Sequence, residues 1–478
     1  MSSTRPQPPD AGHRLKASEY IGYALGDTAS NFFFQTFGIF LTYYYVVVWG
    51  IPALSVASMM LIVRLVGTCD DLIIGLLADR TDTRWGKFRP FILFGAVPYG
   101  ICGYLMFAGP NLSPAGKLAY AYITYTLMLT SYSVINVPYS SLLGVLSPSS
   151  RTRAQASTFR FVGAFAGGFL ISLLVRPLVE VLGADNEMQG FQWTMAIFAV
   201  ASVILFWITF ATTRERVKPP AGQKTNAREE LGELVRNWPW VVLLVAAIFS
   251  TTFIALRSGS TLFYFKYVVG DDKTPILLGL DRSTIFLSTG MLAQLAGTVA
   301  LSVVVRRVDK KYAAAGLCAA TGVSFLLFYF LPKDRFGLLV TVNAIGYLCM
   351  GPTSALTWAL YGDVADYGEW KFGRRSTGLI FSASLFAIKT GTVVGGFLLP
   401  LFLYCFGFVE PKEGMAGVHQ TPTAVLGIKL AFSIVPGVIA LLKAGALMIY
   451  PLNQRRVSEV EQGLTARRAA ASSEGRPQ

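Results

Sequence analysis

Long apolar stretches recur along this chain from Tyr20 to Tyr450, and no other feature limits its fold so strictly. Each runs for about 20 residues with almost no charge, enough for a helix to cross a ~30 Å hydrocarbon core. Twelve can be marked. They run from Tyr20 to Val48, Ala53 to Ala78, Phe91 to Ala108, Leu118 to Leu146, Ser157 to Leu182 and Phe191 to Thr212 in the first half. In the second they run from Trp238 to Val269, Ser283 to Val305, Tyr312 to Leu331, Phe336 to Leu360, Ser376 to Phe406 and Ala424 to Tyr450. With 53% hydrophobic and 14% charged residues and a mean hydropathy of +0.51, the composition excludes a water-soluble enzyme. The expected fold class is an all-α membrane protein.

Charge sets the expected orientation. Arginine and lysine crowd into the amino-terminal arm (Arg5, Arg14, Lys16), RTDTRWGKFR after the second stretch, SRTRAQ after the fourth and VRRVDKKY after the eighth. By the positive-inside rule these connections, the basic segment from Arg214 to Arg236 and both termini face the cytoplasm. The net charge of +14 then reflects this bias and contact with anionic lipid head groups, and calls for no nucleic-acid partner. The arm lacks a cleavable signal pattern, so the first stretch is expected to insert uncleaved.

Several function classes drop out. Cys69, Cys102, Cys318, Cys349 and Cys405 lie inside apolar stretches at unrelated spacings and read as packing residues. His13 and His419 both fall outside the stretches, which leaves no histidine-based catalytic or zinc site in the membrane. There is no P-loop for ATP-driven pumping. No cofactor, metal or enzymatic activity is expected.

The two halves repeat one another. NVPYSSLLGVL (Asn136 to Leu146) pairs with MGPTSALTWAL (Met350 to Leu360), and FRFVGAFAGG (Phe159 to Gly168) pairs with AIKTGTVVGG (Ala387 to Gly396). The matches put the fourth stretch beside the tenth and the fifth beside the eleventh. The expected division is an arm over 1–19, a six-helix half over 20–212, a linker over 213–237, a second six-helix half over 238–451, and a tail over 452–478 without fixed structure. Two such halves are the plan of a secondary carrier with its substrate site near the bilayer midplane.

Charges inside the stretches mark candidate sites, because an intramembrane carboxylate or lysine is costly unless paired or ion-bound. In RLVGTCDDLIIGLLADRTDTRWGKFRP, helical spacing puts Arg64, Gly67, Asp71, Gly75 and Ala78 on one small or charged face. Asp70 lies about 100° away among apolar residues, so it reads either as a functional group or as half of a structural salt bridge. Lys389 sits deep in the eleventh stretch, too deep to snorkel easily. Asp27, Arg160 and Arg257 add further charge to the first, fifth and seventh.

DRTDTRWGKFRP, NVPYSSL, GDVADYGEWKFGRRSTG and the lysine of FAIKTG together resemble the major facilitator superfamily. Within it they are most similar to the melibiose permease-like glycoside, pentoside and hexuronide to cation symporters. The resemblance runs from GDTASN in the first stretch to the end of the twelfth. It implies sugar transport coupled to a cation, with Asp71 matching one of two acidic residues that help bind the ion. Gly67 stands where the other belongs. With one carboxylate missing, a proton is favoured over sodium, since sodium wants several oxygens and a proton only one carboxylate. The resemblance places Lys389 near the cation-binding acids, where pairing with Asp71 would couple the ion to the conformational change.

Asn31 and Asn136 fall where melibiose-type members carry sugar-binding aspartates, and Ser140 replaces a tryptophan, which argues against galactoside specificity. Arg64, Arg160, Arg257 and Lys389 outnumber Asp27, Asp70 and Asp71, so the leading substrate is a glycoside bearing a carboxylate or sulfonate. A neutral pentoside or glucoside comes second, and a lysolipid third. Tyr23, Phe34, Trp358 and Tyr361 are candidates for stacking or for core packing. Asp79, Arg80, Arg84 and Lys87 in one half, and Asp363, Asp366, Glu369, Arg374 and Arg375 in the other, read as ion pairs that close a cytoplasmic gate. The protein is expected to work as a monomer in a bacterial inner membrane.

Overall fold

The computed structural model describes residues 15–147, 150–184, 186–216, 232, 236–270, 276–277, 279–305, 308–372, 377–410 and 419–473. Its regular structure is helical, and every apolar stretch marked in the sequence coincides with a helix. The first half holds α1 (Ala17–Ile39), α2 (Ala53–Arg80), α3 (Arg89–Leu105), α4 (Pro114–Leu146), α5 (Ser150–Gly183) and α6 (Glu187–Thr212). The second holds α7 (Trp238–Tyr264), α8 (Arg282–Val305), α9 (Lys310–Leu327), α10 (Phe336–Phe372) and α11 (Thr377–Cys405). Its last membrane segment is broken into α12 (Pro422–Phe432) and α13 (Ile434–Ile449), and α14 (Gln454–Ser473) follows. Among the described residues, six helices are by themselves long and apolar enough to cross a membrane, or seven if α1 is joined to the helical turns after it, bent away by 51°.

Helix starts follow local chemistry. Ser113, Asn186, Asp309 and Thr421 each stand just before a helix and accept from its first free N–H groups, at 2.9 to 3.3 Å. Pro114 and Pro422 occupy the first helical position after two of these caps, where a missing N–H costs nothing.

The chain divides into two compact units, one of Met1–Gly222 with Glu410–Val418 and the other of Gln223–Val409 with His419–Gln478. Packing partners repeat between them. In the first unit α1 lies on α5 and α6, α2 on α4, and α3 on α4 and α6. In the second, α7 lies on α11 and α13, α8 on α10, and α9 on α10 and α13.

Individual contacts repeat as well. A Cβ at Gly163 would lie 2.3 Å from the Ala24 carbonyl oxygen, and one at Gly391 would lie 2.3 Å from that of Ile248. Beside them Thr28 Oγ1 donates to Gly163 O at 2.9 Å, and Thr252 Oγ1 donates to Gly391 O at 3.1 Å. Glycine is required at both crossings because two helix backbones touch there. Each unit also carries a one-turn π-helix at the same place, Tyr44–Val48 after α1 and Phe265–Val269 after α7.

Three elements differ from the sequence expectation. α5 begins at Ser150 and α10 runs on to Phe372, so residues read as loops are helical. Polar outer turns need not end a helix, because its backbone hydrogen bonds are internal whatever surrounds it. The tail, expected to lack structure, forms α14. Val460 and Leu464 on it are buried, and Arg467 donates to the Trp370 carbonyl at 2.8 Å.

Candidate functional site

Polar and charged side chains of the first unit meet across α1, α2, α4 and α5. α4 carries Tyr125, Thr130, Ser133, Asn136 and Ser140, which face two groups of charged residues.

The first group answers the question posed by the paired aspartates. Thr130 Oγ1 donates to Asp70 Oδ2 at 2.6 Å, and Ser133 Oγ donates to Asp71 Oδ1 at 2.6 Å. Thr130 and Ser133 are three residues apart and therefore neighbours on the α4 surface. Asp70 consequently shares the side of α2 that meets α4 and does not face a separate apolar environment. The expectation that it turns away from Asp71 is corrected: 100° of rotation separates two side chains without sending them to different helices. On the same helix Arg64 Nε donates to Tyr125 Oη at 2.5 Å, and its guanidinium lies 5.9 Å from that ring.

The second group lies between α1, α4 and α5. Asp27 is 8% exposed, and its Oδ2 accepts from Arg160 Nε at 2.8 Å. The Arg160 Nη2 donates to Ser140 Oγ at 3.2 Å, and its guanidinium lies 5.1 Å from the Tyr139 ring. Ser30 Oγ donates to Asn136 Oδ1 at 3.0 Å, and Asn31 Nδ2 donates to Asp27 O at 2.9 Å. Below them Tyr23 and Tyr139 stack at 4.8 Å, each hydroxyl donating to the other's carbonyl. Tyr23 thereby locks α1 to α4. Phe34 is 43% exposed and stacks on Tyr132 at 6.2 Å.

Arg257 has other surroundings. It is 1% exposed inside the second unit, with Phe286, Phe325, Phe328 and Phe432 ring centroids 5.8, 4.6, 4.2 and 3.4 Å from its guanidinium carbon. Nη1 donates to Phe432 O at 2.6 Å and Nη2 to Asn343 Oδ1 at 3.4 Å. Four electron-rich faces and two acceptors enclose the charge. A substrate group would have to displace that cage to reach Arg257, which the sequence reading took as a substrate contact.

Lys389 is half-buried on α11. Gly391, two residues on, presses against α7, so helical geometry turns Lys389 to roughly the opposite side. Trp358 and Tyr361 meet edge-to-face at 5.7 Å, with Tyr361 fully buried.

Of the gate residues, Asp363, Asp366 and Glu369 stand at three-residue spacing on α10, and Asp363 pairs with Lys310 at 2.9 Å within its own unit. Arg80 and Arg84 are exposed, and Arg84 lies 4.2 Å from the Trp85 ring. Arg374, Arg375 and the side chain of Asp79 lie outside the described residues.

Sequence reasoning missed Thr130, Ser133, Ser30 and Lys310. Hydroxyls at three-residue spacing in an apolar helix were the available signal for the first two. It also passed over Lys443, which is 1% exposed in α13 and donates to Ser250 Oγ at 3.0 Å. Among the described residues, no cluster of three or more His, Cys, Asp or Glu side chains is placed to hold a metal ion.

Comparison with known proteins gives this geometry its setting. The chain is 35% identical over 431 residues to the inner membrane symporter YicJ of Escherichia coli K12, covering 90% of each chain. It is 31% identical over 471 residues to the isoprimeverose transporter of Lactiplantibacillus pentosus, covering 96% of this chain and 95% of that one. The fold matches a bacterial homologue of the human lysosomal transporter Spinster with a TM-score of 0.65 at 12% identity, covering 91% of this chain and 99% of that one. The family model described as MFS/sugar transport protein matches residues 22–454, and the chain, a multi-pass membrane protein of the major facilitator fold, belongs to that family of transporters.

Proposed function

We propose that this protein imports a neutral glycoside together with a cation by alternating access. The observation that carries the substrate class is the ion pair between Asp27 and Arg160. It cancels the charges of the cluster on α1, α4 and α5, and what remains beside it are the amides of Asn31 and Asn136 and the hydroxyls of Ser30 and Ser140. Such groups donate to and accept from sugar hydroxyls without favouring an anion. With Arg257 enclosed by phenylalanines, the excess of positive charge that favoured an acidic glycoside is gone.

Asp71 is the coupling residue in this reading, Asp70 its neighbour in the ion site, and Lys389 the coupling cation of the second unit. A proton is the first choice of ion, because one carboxylate can carry it. Sodium is the second reading, favoured by one observation: Thr130 and Ser133 add two hydroxyl oxygens beside the two carboxylates. Counterflow in proteoliposomes with neutral, uronic and sulfonated glycosides tests the substrate class. Exchange confined to the acidic sugars refutes it.

A further inference from the structure

Immediately after α6 the chain runs Thr213, Arg214, Glu215, Arg216, and the carboxylate of Glu215 turns back toward the start of α3. Three consecutive backbone N–H groups donate to it: Lys87 to Oε2 at 2.9 Å, and Phe88 and Arg89 to Oε1 at 2.8 and 3.1 Å. They lead into α3, with Lys87 just before it, Phe88 as its N-cap and Arg89 as its first residue, at the helix end whose dipole favours negative charge. The approach depends on Gly86. Its φ of +108° suits glycine, and a Cβ there would lie 2.5 Å from the Glu215 carboxyl carbon.

The segment held in this way is the connection between α2 and α3. Within it, Gly86 N donates to Thr83 O at 3.0 Å and Thr83 Oγ1 donates to Gly86 O at 2.7 Å, so the turn closes on itself. Arg89 then bridges to α6, donating to Phe210 O at 2.7 Å with its guanidinium 4.4 Å from the Phe210 ring. Arg84 and Lys87 ride on this turn. The next residue after Glu215 serves two further helices. The Arg216 N–H donates to Val145 O at 2.8 Å at the end of α4, and its Nη2 donates to Glu19 Oε1 at 2.5 Å at the start of α1.

We infer that Glu215 is a positioning residue for transport, an internal anion seated in a cradle of three amides that fixes the α2–α3 turn and the cations Arg84 and Lys87 upon it. The carboxylate is supplied by the chain segment that leaves the first unit. Movement of that segment and placement of the turn are therefore linked through one side chain.

A cradle for an anion is refillable, which separates positioning from a general folding defect. Glu215→Ala is purified, and hydrogen exchange at Lys87, Phe88 and Arg89 is followed with and without formate at tens of millimolar. Counterflow of a sugar carried by the unaltered protein is measured alongside. The expected result is exchange at those amides faster by roughly tenfold or more, with counterflow reduced by a similar factor, the scale of a charged hydrogen bond. Formate restores both, and chloride at equal ionic strength does not. Glu215→Gln keeps the shape of the side chain but fills the cradle, and is expected to be impaired without responding to formate. Unchanged protection in Glu215→Ala overturns the inference, as does lost protection with normal counterflow. The exchange measurement needs no sugar, and the substrate class is tested separately on the unaltered protein.

Discussion

Arg257 donates to the carbonyl of Phe432 at 2.6 Å, and Phe432 lies four residues before Pro436. In an unbroken helix that carbonyl would accept from the N–H of residue 436, which proline does not have. The break between α12 and α13 at Ser433 and the buried guanidinium are thus two parts of one arrangement, in which an arginine from α7 supplies the missing donor.

The arrangement predicts a specific coupling. Arg257→Met should lower stability by about 1–3 kcal/mol, because it strands a buried carbonyl. Pro436→Ala returns an N–H to the helix and should offset part of that loss in the double variant. Thermal unfolding of the four proteins gives the coupling energy. Additive losses would mean that Arg257 and Pro436 act independently.

At the ion site, Asp71→Asn is expected to retain sugar counterflow and lose accumulation against a gradient. Ser133→Ala removes one oxygen and should be milder if the ion is a proton. If sodium is carried, the half-saturating sodium concentration should rise by roughly tenfold, the scale of one charged hydrogen bond. Uptake driven separately by a proton gradient and by a sodium gradient distinguishes the two. Concentrative uptake by Asp71→Asn equal to that of the unaltered protein removes Asp71 from the coupling role.

The pair between Asp27 and Arg160 makes a different demand. Removing either charge alone leaves the other partly buried without its partner, a loss on the order of 3–5 kcal/mol for enclosed pairs and less here, where Arg160 is a quarter exposed. Arg160→Gln combined with Asp27→Asn should bind a neutral sugar better than either single change. Binding that falls in strict multiplication of the single effects argues against a balancing pair.

Gly163→Ala and Gly391→Ala should fail alike, since each places a methyl group against a facing carbonyl oxygen. Reduced yield and a lower unfolding temperature are expected for both. Normal behaviour of one alone shows that the two crossings are not equivalent.

Much of this was legible in the sequence, and the exceptions share causes. The apolar stretches located every membrane helix, and the two segments that repeat between the halves hold the glycines of the tight crossings, because span length and backbone approach leave direct marks on composition. The environment of Asp70 was not legible, since it depends on Thr130 lying opposite on another helix. The enclosure of Arg257 was not legible in its charge alone, although Pro436 and Phe432 stood four residues apart in plain view. The tail helix was overlooked for its charge. Val457, Val460 and Leu464 recur along it at helical spacing, and that was the sign of a docked face.

The widened turns after α1 and α7 bear on how the two halves can change. Trp49 N reaches back to Tyr44 O, and Gly270 N to Phe265 O, so each helix holds one residue more than an α-helical ladder of the same rise. Deleting that residue from one half would leave an ordinary α-helical turn of the same rise, with everything beyond it still in phase. In the first half the wide turn ends at Trp49, whose ring lies 5.7 Å from that of Tyr120. Each half therefore absorbs one surplus residue within a single turn, at the same distance from the start of its first helix.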